Sequence, residues 1–124
     1  MEELSREEID GFFSEINVLV CPSRDDPLPT VVTEAMQRGI ACIISDQVGQ
    51  VEYIQNGVNG FIFKSEDIDE LTNIMEQLIR NPSSINVIGE NSRMIYEEYF
   101  SKECMKRKLT QYIDLMLGSE TNLK

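Results

Sequence analysis

The 124-residue sequence predicts an α/β fold, a short parallel sheet of about three strands with flanking helices and a helical C-terminus. Three observations carry this expectation. The runs Val18–Cys21, Ile40–Ile44 and Phe61–Phe63 are continuous apolar stretches, the pattern of strands covered on both faces. Segments of helical period flank them. Strand–helix alternation implies right-handed crossovers and therefore parallel pairing. The length suits one domain, expected over residues 1–118, with a polar tail over residues 119–124.

Each element has a local reason. Ser5 with Glu8 forms a capping box, and Ile9, Phe12, Phe13 and Ile16 follow at helical spacing. Asn17 ends that helix, and Pro22 stops the strand behind it. The loop from Ser23 to Pro29 holds two prolines and two aspartates. A helix over Thr30–Arg38 places Val31, Val32, Ala35 and Met36 on its buried side, and Gly39 closes it. After the second strand, Ser45–Gly49 reads as a loop and Val51–Ile54 as one or two helical turns. Asn56-Gly57 and Asn59-Gly60 are turn dipeptides ahead of the third strand. Asp67 with Glu70 caps a helix bearing Ile68, Leu71, Ile74, Met75, Leu78 and Ile79, closed by Pro82. Two more helices follow, around Ser84–Tyr99 and Ser101–Leu117, and Gly118 opens the tail.

Composition removes several function classes. A net charge of −11 leaves no basic face for nucleic acid. No apolar run approaches a membrane span, and the acidic N-terminus does not read as a signal or transit peptide. The expected location is cytoplasmic, with the membrane periphery open to a longer protein. The sequence has no histidine, so the commonest general base and the usual metal ligand are missing. Three widely spaced cysteines, Cys21, Cys42 and Cys104, argue against a disulfide framework or a zinc site.

The candidate chemistry gathers after the first strand. Ligands on open parallel sheets sit outside the carboxyl ends of the strands. There the helix starting near Thr30 presents unpaired N–H groups and the positive end of its dipole, an anion site suited to a diphosphate. Thr30 adds a hydroxyl. Glu34 lies one turn further on and leans back towards that end. Its carboxylate can accept two hydrogen bonds from a vicinal diol such as a ribose. Asp26, in the loop above, can bind sugar hydroxyls. The plainer alternatives are a surface helix residue for Glu34 and a turn former for Asp26. The apolar neighbours of Glu34 speak against the first. Ser23 and Arg24 are more often plain loop residues.

On these residues the chain resembles the donor-binding half of the retaining group 1 glycosyltransferases, which have the two-Rossmann-domain GT-B architecture. Pro22-Ser23 matches the family's strand end. Asp26 takes its first acidic position and Glu34-Ala35-Met36 the second. Ser45-Asp46, Gly49 and Glu52 match its next loop, and Asn59-Gly60-Phe61 the turn and strand after it. The likeness covers about Ser5 to Asn81.

The resemblance implies the second half of a Rossmann-like nucleotide-binding domain, contributing the donor site for hexosyl transfer from a nucleotide-diphospho-sugar. Glu34 would bind the ribose, and Asp26, as the catalytic residue, would contact the transferred sugar. Backbone N–H groups at Thr30 and Val31 would hold the diphosphate. Leu28 and Pro29 would line the sugar pocket beside Ser23. The nucleotide sugar is a substrate, so no cofactor is expected. Three positions depart from the family pattern: Asp26 stands for a glutamate, Leu28-Pro29 for a glycine-containing loop, and Val48 for one of two glycines. An N-terminal Rossmann domain and the first half of the donor domain, with its phosphate-binding Arg and Lys, are expected as missing partners. The chain is expected to be inactive alone. Without that first half the Val18–Cys21 strand is an exposed edge, which invites a homodimer. Other classes considered are a non-catalytic binding or assembly module and, on weaker motifs, a phosphoacceptor receiver domain built on Asp25-Asp26 and Lys64.

Overall fold

The computed structural model describes residues 5–24 and 28–122. Its elements run α1 (Arg6–Glu15), β1 (Val18–Cys21), α2 (Thr30–Gln37), β2 (Ala41–Ser45), a 3-10 helix (Gly49–Tyr53), β3 (Phe61–Phe63), α3 (Ile68–Arg80), α4 (Ser83–Tyr99) and α5 (Lys102–Asn122). The capping box forms as expected: Ser5 Oγ accepts from the Glu8 amide at 3.1 Å, and Glu8 Oε1 accepts from the Ser5 amide at 3.4 Å. Asp67 caps α3 through the Glu70 amide. Gly39 adopts φ +72° just past α2, and its N–H reaches the Met36 carbonyl, the left-handed ending that glycine permits.

The sheet is parallel throughout, in the order β1-β2-β3. Val18 pairs with Ala41 and Ile43 with Phe61. Central β2 is buried along its whole length, which explains its unbroken apolar sequence. Cys42 and Ile44 face one layer, built with Leu19, Val32, Ala35 and Met36. Ala41 and Ile43 face the other, built with Phe61, Phe63, Ile74 and Leu78. Helix α4 serves both layers, with Ile88 in one and Tyr96 in the other. It can do so because Gly89 lies against the turn from α2 to β2. A Cβ at Gly89 would stand 2.1 Å from the Gly39 carbonyl oxygen.

The structure corrects three details. Val31 is not on the buried side of α2. It is 39% exposed, because the inward stripe consists of Val32, Ala35 and Met36 alone. Helix α5 does not stop at Leu117 but continues through Gly118 to Asn122, so the expected tail is helical for most of its length. Several residues expected to pack by their spacing are exposed: Met75 and Ile79 on α3, and Met105, Leu109, Tyr112, Ile113 and Met116 on α5.

Gly89→Ala tests the close approach at α4. Alanine adds about 1 kcal/mol of helix propensity, but its methyl meets backbone rather than a movable side chain. A net loss of roughly 1–3 kcal/mol is expected from urea unfolding, and unchanged or raised stability would refute the packing described.

Cys42 supplies an alkaline signature. Burial, with a smaller contribution from Cys21, pushes its thiol from an ordinary 9.0 up to about 12. Between those values the unfolded chain has released a proton that the folded chain retains, so stability falls as pH rises. The urea midpoint is expected to drop between about pH 9 and about pH 12, less steeply in Cys42→Ala. An identical slope in the variant would show that another group is responsible.

Strand β1 lies at the border of the described sheet, with Val18 and Val20 only half-buried. An apolar edge of this kind recruits further strands. Self-association is therefore expected in light scattering, and a strict monomer at about millimolar concentration would show the edge to be shielded.

Candidate functional site

The N-terminus of α2 follows from one proline and a buried amide. Pro29 is the N-cap residue and offers no side-chain acceptor to the first turn. Its carbonyl accepts from the Val32 amide at 3.2 Å. The same carbonyl accepts from Gln50 Nε2 at 2.9 Å, and Gln50 Nε2 also donates to Thr33 Oγ1 at 2.9 Å. Gln50 is fully buried in the 3-10 helix after β2, and its Oε1 has no hydrogen-bond partner among the described residues. The loop following β2 thus grips the start of α2. Among the described residues, the Thr30 and Val31 amides have no backbone partner, since helical bonding cannot reach them.

Glu34 lies one turn along α2, with its side chain 31% exposed. One oxygen, Oε2, pairs with Arg38 Nη1, while Oε1 is 3.7 Å from Arg6 Nη1. Arg38 also bonds Asp10 Oδ1 and lies over the Phe13 ring, 4.8 Å from its centroid. The Glu34 carboxylate, then that of Asp10, raises the Arg38 guanidinium above its usual range. Burial chiefly, with the charges of Glu97 and Glu34, raises Tyr96 beside this cluster.

Three of the residues expected in the site come together. Thr30, Val31 and Glu34 line a groove of about 340 Å³, closed on its other side by Ile9, Phe12 and Phe13 of α1. The exposure of Val31, unexpected from the apolar pattern, belongs to this groove. Leu28 is half exposed before the helix, and Pro29 is buried beneath it. Ser23 stands at the carboxyl end of β1. Its carbonyl accepts from Ser45 Oγ, and its hydroxyl is 3.6 Å from Cys21 Sγ. Ser23 therefore ties the ends of β1 and β2 together outside the groove. Asp26 and Asp25 lie outside the described residues. Glu52 is exposed on the 3-10 helix and does not line the groove. A second hollow of about 390 Å³ lies at the amino edge, between the starts of β1 and β2, away from where sheets of this kind bind ligands.

Sequence reasoning missed Arg38, Asp10, Arg6 and Gln50. The spacing of Glu34 and Arg38 at i, i+4 was a readable signal. Nothing local marks Gln50, since its partners are 17 and 21 residues away.

The sequence profile of the family described as Glycosyl transferases group 1 matches residues 1–95. The chain belongs to the group 1 glycosyltransferases. It is 27% identical to the capsular polysaccharide biosynthesis glycosyltransferase CapM of Staphylococcus aureus, over 86% of this chain and 28% of that protein. It is also 27% identical to the UDP-Gal:alpha-D-GlcNAc-diphosphoundecaprenol alpha-1,3-galactosyltransferase of Escherichia coli, over 71% of this chain and 22% of that protein. The chain thus spans about a quarter of the length of these relatives. Its fold matches sucrose-phosphate synthase of Thermosynechococcus elongatus with a TM-score of 0.84, at 23% identity, over 96% of this chain and 30% of that one. The C-terminal domain of a group 1 glycosyltransferase, LpcC, from Francisella tularensis superposes with a TM-score of 0.74, at 18% identity, over 82% of this chain and 52% of that one. HepE of Anabaena, solved in complex with UDP-glucose, matches at 0.76 with 22% identity, over 88% of this chain and 30% of that one. The architecture is that of a C-terminal group 1 glycosyltransferase domain of the GT-B fold.

Proposed function

We propose that this chain forms part of the nucleotide-diphospho-sugar site of a retaining hexosyltransferase. One observation carries the reading: the N-terminus of α2, which follows the carboxyl end of β1, and Glu34 line one groove. In this reading the amides of Thr30 and Val31 receive the diphosphate, and Glu34 accepts the ribose diol. Asp26 contacts the transferred sugar, with Leu28 and Pro29 lining its pocket and Ser23 bracing the loop behind them. The chemistry breaks the bond between the anomeric carbon and the diphosphate oxygen. Negative charge grows on the departing diphosphate, where a helix N-terminus stabilises it most.

The nucleotide sugar is a substrate, and the reading needs no resident cofactor. The structural relative bound to UDP-glucose and the galactosyltransferase named for UDP-Gal support this donor class. Among the described residues no helix is long and apolar enough to cross a membrane. A cytoplasmic placement, with contact at the membrane periphery for a full-length enzyme, completes the proposal. The acceptor site and the remaining phosphate ligands fall to an N-terminal Rossmann domain and the first half of the donor domain. Transfer by this chain alone is not expected. The apolar edge of β1 and the exposed stripe of α5 favour, as a second reading, a binding or assembly module that retains the fold without the chemistry.

Glu34→Ala separates the two readings. In the complete enzyme it is expected to lower kcat/KM for the donor by the equivalent of roughly 2–4 kcal/mol, the scale for charged hydrogen bonds lost from a desolvated site. Glu34→Gln, which keeps an acceptor, is expected to retain part of that loss. Unchanged donor kinetics in Glu34→Ala would remove the residue from the site.

A further inference from the structure

A carboxylate on an exposed helix face is free to rotate, and binding must first immobilise it. Glu34 is an exception, because Arg38 already holds it. Arg38 is itself anchored on several sides. Its Nη2 bonds Asp10 Oδ1, its Nη1 donates to both Oε2 and the backbone carbonyl of Glu34, and its guanidinium covers the Phe13 ring. Only 22% of the side chain is exposed. The other cation, Arg6, differs in every respect. It is 70% exposed, and its contact with Oε1 is a long one at 3.7 Å. Exposed pairs of that kind contribute little and are readily exchanged. Oε2 is therefore fixed, while Oε1 of this groove-lining residue has a replaceable partner.

We propose that Arg38 is a positioning residue for donor recognition. It retains Oε2 of Glu34 and so presents Oε1 to a ribose hydroxyl, which displaces Arg6. This rests on the donor reading of Glu34. The two carboxylate partners of Arg38 are Glu34, which lines the groove, and Asp10, which does not. The Arg38 guanidinium lies between them and offsets their charge before the anion arrives.

The test compares uridine diphosphate with 2′-deoxyuridine diphosphate, which differ only in one hydroxyl of the diol. NMR titration of the complete enzyme measures both affinities. Wild type is expected to prefer the ribose form by on the order of tenfold, the equivalent of one hydrogen bond to a charged acceptor. Glu34→Ala is expected to abolish the preference. Arg38→Met is expected to reduce it to within about twofold while sparing the deoxy form, whereas a merely structural role would weaken both nucleotides alike. Asp10→Asn, which loosens Arg38 from the other side without removing it, is expected to fall between, and serves if Arg38→Met does not fold. A preference undiminished in Arg38→Met, or in Asp10→Asn where Arg38→Met does not fold, while Glu34→Ala abolishes it, overturns the positioning role alone. No preference in wild type, or no saturable binding of either nucleotide, overturns the donor reading beneath it.

Discussion

Every other element is arranged around the fact that β2 has no exposed face. All five of its residues are buried, so each side of the strand requires its own cover. On one side α2 supplies Val32, Ala35 and Met36. On the other, β3 and α3 supply Phe61, Phe63, Ile74 and Leu78. With both faces filled, only the ends of the strands remain available to a ligand. At the amino ends α4 presses Gly89 onto the turn entering β2. At the carboxyl ends the connections are loops, and one of them leads into the N-terminus of α2. The location of the groove is thus a consequence of how the core is covered.

The groove works against the electrostatics of the whole chain. A net charge of −11 disfavours any diphosphate. What counters it is local. Helix amides are fixed dipoles that cost no reorganisation, and Arg38 balances Glu34, the carboxylate that lines the groove. Screening limits the opposing field to roughly 8 Å at physiological ionic strength, so charges on the far helices matter less than these neighbours. The remaining cations of the family's phosphate site belong, on the proposed reading, to the absent half of the domain.

Much of the fold was legible because its rules are local. Strand runs, the capping box at Ser5, the cap at Asp67 and the glycine ending at Gly39 are written within a few residues, and the structure reproduces them. Periodicity failed where it had to assign a side rather than an element. Val31 follows an apolar pattern on α2 yet faces the groove, since a helix this short buries a narrower stripe than its apolar residues could fill. On α5, too, the regularly spaced apolar residues stay exposed among the described residues. In the site, Thr30, Val31 and Glu34 were readable from the strand–loop–helix order. The supports were not, because Asp10 reaches Arg38 across 28 residues of sequence and Gln50 reaches Pro29 across 21.

The buried carboxamide of Gln50 has a mechanical consequence. By binding the Pro29 carbonyl and the Thr33 hydroxyl together, it makes the loop after β2 and the first turn of α2 a single rigid body. A hinge cannot lie between them without exposing or orphaning those groups. On the proposed reading, any adjustment to a ligand falls to the α1 side of the groove, where the exposed Arg6 contact with Glu34 can be exchanged.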